Sequence, residues 1–108
     1  MEELEKKRDM ILRIHMVLSC AYGIKGLDKG TRGQLWGYLT ILLQATGMQT
    51  AVEMDAIVRA IMLHLKAMTE CKGWDRRLLG VLIAVIALCK ELLYNPTEEV
   101  SKLCNKEK

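Results

Sequence analysis

Leu78 to Cys89 reads LLGVLIAVIALC, twelve residues without a charge. As a helix it spans about 18 Å, well short of the ~30 Å hydrocarbon layer of a bilayer. Arg77 precedes it, and Lys90 and Glu91 follow. A crossing would have to accommodate all three charges, which is costly. The stretch therefore predicts a helix of a soluble bundle. Because it is apolar all round, it is expected to be buried on every side, as a central helix over about 76–94. Gly80, Ala84 and Ala87 put small residues on one flank, where another backbone is expected to approach closely.

Four further helical segments read outward from it. The first, Glu2 to Tyr22, carries Leu4, Ile11, Ile14, Val17, Leu18 and Ala21 at a 3.6-residue period and is expected to stop at Gly23. The second, Arg32 to Thr46, is expected to open with a capping box of Thr31 and Gln34. The third opens in the same way on Thr50 and Glu53 and runs to about Cys71. Its core stripe is Met54, Ile57, Val58, Ile61, Leu65 and Met68, and its wet face carries an expected Asp55–Arg59 pair. Asp75 caps the central helix, which stops at Tyr94 before Asn95-Pro96. A short fifth helix, Glu98 to Cys104, precedes a charged flexible tail, 105–108. The expected fold is all-α, a compact bundle of about five helices forming one domain over 1–104.

The composition agrees. Of 108 residues, 51% are hydrophobic and 27% charged, with seven Met, one Pro and no Phe. That is globular rather than disordered, and rich in helix formers. A net charge of +3 permits contact with nucleic acid or anionic membranes without requiring it. Cys20, Cys71, Cys89 and Cys104 are far apart, with no C-x-x-C pair, so reduced thiols in a cytoplasmic or other reducing compartment are expected. The opening MEELEKKRD lacks the apolar core of a signal peptide.

Gly23 to Gly37, GIKGLDKGTRGQLWG, is the one stretch that suggests a ligand. It lacks the spacing, the Gly-Lys-Ser/Thr ending and the preceding strand of a P-loop, and it lacks G-x-G. Gly23, Gly26 and Gly30 are read as loop. Gly33 and Gly37 are read inside the second helix, with Gly37 at a close crossing against Gly80 and Ala84. Lys25, Lys29 and Arg32 here, and Arg76 and Arg77 ahead of the central helix, make two basic helix N-termini. Either is a candidate weak anion site, and an accessory protein binding nucleic acid or phosphate is the alternative function.

His15 and His64 lie near core stripes, expected to be partly buried, and no recognised zinc spacing includes them. No catalytic triad or carboxylate pair is singled out, so neither enzyme, metal nor cofactor is expected. Gly73-Trp74 and Arg76-Arg77 ahead of an apolar helix resemble the layout of Bcl-2-like proteins. The motif does not match closely and the chain is short for that fold, so no property is carried over.

The second helix decides the functional expectation. Leu35, Leu39, Leu42 and Leu43 form its stripe, and Trp36 and Tyr38 point to either side. Met10 and Met16 flank the stripe of the first helix, and Met62 interrupts the wet face of the third. Surplus Met and Trp surface is what interfaces use. The expectation is a non-enzymatic protein–protein interaction module, most simply a homo-oligomer, with Trp36, Tyr38, Leu43 and Met62 at the interface. A peripheral membrane-associated protein is the second alternative.

Overall fold

The computed structural model describes residues 2–71 and 75–94. Within them the chain forms four helices: α1 (Glu2–Tyr22), α2 (Lys29–Ala45), α3 (Ala51–Thr69) and α4 (Arg76–Tyr94). The fold is all-α, with four helices among the described residues rather than five. The predicted fifth helix, Glu98 to Cys104, and the tail 105–108 lie outside the described residues.

Local chemistry sets the helix ends. Thr50 caps α3 as expected: its hydroxyl accepts from Glu53 N at 3.1 Å and donates to the Glu53 carboxylate at 2.9 Å. Asp75 accepts from Arg77 N at 2.7 Å and so caps α4. For α2 the cap is Asp28, not Thr31, and the helix begins at Lys29. The Asp28 carboxylate accepts from Thr31 N at 3.0 Å and from the Thr31 hydroxyl at 2.7 Å. Thr31 has thus spent its hydroxyl on the true cap, and it is buried at 5% exposure. A carboxylate is as good a cap as a hydroxyl, and it also meets the positive end of the helix dipole. Gly30 therefore belongs to the helix. In the preceding loop the left-handed residue is Gly26, with φ of 92°, rather than Gly23.

The core is one cluster drawn from all four helices. Ile11, Ile14, Leu18, Leu35, Leu42, Met54, Leu65, Leu78 and Leu82 are fully enclosed in it. α1 and α3 each touch all three other helices, whereas α2 and α4 touch only α1 and α3. Thus α2 and α4 stand at opposite corners. This corrects the reading of α4 as a buried central helix. Leu78, Leu82, Val85, Ile86, Cys89 and Leu92 are buried, but Gly80, Ile83, Ala84 and Ala87 form an exposed outer strip. A bundle of four short helices has no interior position that encloses a whole helix. The sequence tolerates this because the strip is mostly Gly and Ala, which expose little apolar area. The expected close crossing of α2 on α4 is absent as well. A Cβ built at Gly37 or at Gly80 would meet nothing within 4 Å.

Two polar contacts tie the N-terminal half of α1 to the rest. Lys7 Nζ donates to Asp55 at 2.7 Å, so Asp55 pairs across the bundle rather than with Arg59. Arg8 donates to Thr46 O at 2.9 Å and Met48 O at 3.2 Å. A guanidinium there satisfies carbonyls at the negative end of α2. At the other end of α1, the Tyr22 ring meets Trp36 with centroids 5.8 Å apart. α1 and α2 therefore run antiparallel.

Both aspartate caps should be visible in the pH dependence of stability. Hydrogen bonds from Thr31 hold the Asp28 carboxyl below its ordinary value. Those from Arg77 take Asp75 down to about 2, from 3.8. A carboxyl whose pKa is depressed by folding stabilises the fold above its unfolded pKa, and loses that contribution as pH falls through the folded one. Thermal melts should therefore decline between about pH 4 and pH 2. The Asp28→Asn/Asp75→Asn variant, which keeps side-chain acceptors but no titrating charge, should decline less steeply there. Parallel slopes would contradict the assignment.

Candidate protein-docking face

The two sides of α2 lead to different surroundings. Its core stripe, Leu35, Leu39 and Leu42, points into the bundle. Tyr38 lies on the side that meets α3 and is half-buried, its hydroxyl 3.4 Å from His64 Nδ1 and its ring edge-on to the imidazole. Burial raises the Tyr38 pKa, so the hydroxyl stays protonated at neutral pH. Trp36 lies on the side that meets α1 and is 60% exposed, and Leu43, two turns on, is 49% exposed.

Antiparallel to this row, α1 presents Met16 at 67% and Leu12 at 44% exposure. A groove of about 550 Å³ runs between α1 and α2. His15, Ser19, Leu39, Thr40 and Gln44 line it, and Tyr22 and Trp36 close its upper end. Helical spacing explains the arrangement. Residues 12, 15, 16 and 19 follow i, i+3, i+4, i+7 on one side of α1, and 36, 40 and 43 follow i, i+4, i+7 on α2. A smaller hollow between α2 and α3 holds Gln34, Tyr38, Leu63, His64 and Cys71.

The candidate interface residues are thus divided. Trp36 and Leu43 lie on the α1/α2 face, and Tyr38 on the opposite side of α2. Met62 is in the core at 4% exposure, which corrects its assignment to the wet face of α3. The face had room for it inside: Ile61 and Met62 are both buried, because α3 packs against three neighbours and its apolar arc is wider than one stripe. The sequence reading did not single out Leu12 and Ser19, and it took His15 for a partly buried histidine rather than a groove residue. Leu12 is the legible one, an apolar residue beside Ile11 on the wrong side of the stripe.

Two of the five candidate cations are engaged within the chain. Arg32 donates to Ile24 O at 3.1 Å and lies over the Tyr22 ring, 5.3 Å from its centroid. Arg77 pairs with Asp75 at 2.7 Å and donates to Lys25 O at 3.3 Å. Lys25, Lys29 and Arg76 are exposed. The two helix N-termini are brought near each other, yet each already holds its own aspartate. An incoming anion would meet a carboxylate at both.

The thiols and imidazoles do not assemble into a site. Among the described residues no group of three or more His, Cys, Asp or Glu side chains could hold a metal ion. His15 is half-buried in the groove, whereas His64 is exposed against the expectation, because it sits on the α3 edge beside Tyr38. Cys89 is buried and its thiol is pushed up to about 12 by desolvation, which leaves it unreactive. Cys20 and Cys71 are exposed and free, and Cys104 lies outside the described residues. Among the described residues no helix is long and apolar enough to cross a membrane.

No family model matches the sequence, and neither a curated protein nor a solved structure matches it.

Proposed function

We propose that the chain is a non-enzymatic helical docking module that binds a protein partner through the α1/α2 face. The observation that carries this reading is an α1/α2 groove lined by exposed Trp36 and Leu43, with exposed Leu12 and Met16 at helical spacing from its lining residues His15 and Ser19 on α1. Scattered single apolar residues are ordinary on a surface, but a contiguous set that includes Trp and Met around a concavity is not. Trp contributes a large area at small entropic cost, and Met adapts to irregular partners. The polar groups in the groove, Ser19, Thr40 and Gln44, supply the few hydrogen bonds that fix orientation. The free surface thiols of Cys20 and Cys71 fit a reducing compartment.

The phosphate-binding reading has weaker support, since Arg32 and Arg77 are committed to contacts within the chain. The outer strip of α4 is the rival apolar surface. Its side chains other than Ile83 are Gly and Ala, and they expose little area for a partner to cover.

Site-specific photocrosslinking separates these surfaces. A benzophenone amino acid at Met16 should give a covalent protein adduct in cells, and the same probe at Ile83 should give none. Adducts from Ile83 alone, or from neither position, would remove the reading.

A further inference from the structure

The charges that border the docking face are arranged by the antiparallel run of α1 and α2. On α1, Glu5 and Leu12 stand at i and i+7, as do Asp9 and Met16. On α2, Lys29 and Trp36 have the same spacing. An i, i+7 pair lies on nearly one face of a helix, separated by about 10 Å of rise. The acidic pair therefore continues the Leu12–Met16 row in one direction, and Lys29 continues the Trp36–Leu43 row in the other. The face is apolar in the middle. At the end near the N-terminus of α1, Glu5 and Asp9 outnumber Arg8, and at the end near the N-terminus of α2, Lys29 and Arg32 outnumber Asp28. Glu5, Asp9 and Lys29 are all exposed, and among the described residues none of them is in an ion pair. Arg32 lies at the same basic end, its guanidinium held on Ile24 O.

We infer that the partner of this face is a second copy of the chain, docked antiparallel about a two-fold axis that passes near Met16 and Thr40. The inference rests on the docking reading above and adds the occupant and its orientation. A two-fold axis across the face turns each end onto the opposite end of the other copy, so Glu5 and Asp9 of one meet Lys29 of the other, twice. The same rotation carries Trp36 of each copy over Leu12 and Leu43 of the other, at the lower end of the groove. An isologous contact requires such self-complementarity. A parallel pairing would set Lys29 against Lys29 and the acidic pair against itself, which is repulsive. Two helices side by side, about 10 Å apart and 25 Å long, present roughly 500 Å² in projection, which suits a reversible dimer rather than an obligate one.

Charge reversal tests both the occupant and the orientation. Glu5→Lys/Asp9→Lys makes both ends of the face basic, and Lys29→Glu makes both ends acidic. Each variant alone should self-associate about ten-fold more weakly than wild type at low salt. An equimolar mixture of the two should form a heterodimer, and the triple variant carrying all three changes should regain self-association. Circular dichroism identical to wild type confirms that each variant is folded. Failure of both the mixture and the triple variant to recover would overturn the antiparallel arrangement. Wild type that stays a single chain at every concentration, while Met16 crosslinks to a protein of another mass, would overturn the second copy and leave the docking face standing.

Discussion

Leu82→Ala should lower the stability of the chain by about 2–5 kcal/mol, whereas Ile83→Ala, one residue on, should change it by less than about 0.5 kcal/mol. Leu82 is fully buried, and Ile83 is 60% exposed. Truncating Leu82 removes buried methyl groups and leaves a cavity lined by other core side chains, and a well-packed core relaxes only in part around such a gap. A domain of this kind has about 5–15 kcal/mol in total, so the Leu82 variant should melt at a visibly lower temperature. Truncating Ile83 removes surface that already faces water. Urea denaturation of the two variants is the check. Similar losses in both would mean that α4 is enclosed on all sides after all, and the corner position of α4 would be wrong.

That contrast marks the limit of what the apolar run could tell. LLGVLIAVIALC is uncharged on every side, so periodicity carries no information about which face is outside. The sidedness comes from the neighbours: α1 and α3 cover one arc, and nothing among the described residues covers the other. Elsewhere the local signals sufficed. The α1 and α3 stripes, the Thr50–Glu53 cap and the Asp75 cap each follow from side-chain chemistry within a few residues. The start of α2 was misread because Asp28 and Thr31 are both good caps, and only the geometry shows that Asp28 accepts from Thr31. Of the candidate face, Trp36 was legible as an aromatic residue beside a full core stripe, whereas Leu43, counted in that stripe, is 49% exposed. Met62 was misplaced because the width of a buried arc depends on how many helices pack against it. The groove residues depend on the pairing of α1 with α2, which no single helix encodes.

Met16→Glu/Trp36→Glu should abolish self-association while leaving the fold intact. Both side chains are more than half exposed, at 67% and 60%, and neither belongs to the buried core, so their replacement forfeits only surface contacts such as that of Trp36 with Tyr22. Each dimer would then carry four carboxylates into its apolar centre, near the two-fold axis, where they repel one another and lose water without gaining a partner. Burying unpaired charge costs more than the loss of the apolar contacts alone, so association should become undetectable rather than merely weaker. Sedimentation equilibrium of wild type, this variant and an Ile83→Glu control, over a wide concentration range, is the direct measurement. The account predicts that wild type and Ile83→Glu rise from the 12.3 kDa chain mass towards twice that value, while the Met16/Trp36 variant stays at 12.3 kDa with an unchanged helical spectrum. The contradicting result is wild type and the Met16/Trp36 variant sedimenting alike, or Ile83→Glu being the one that dissociates.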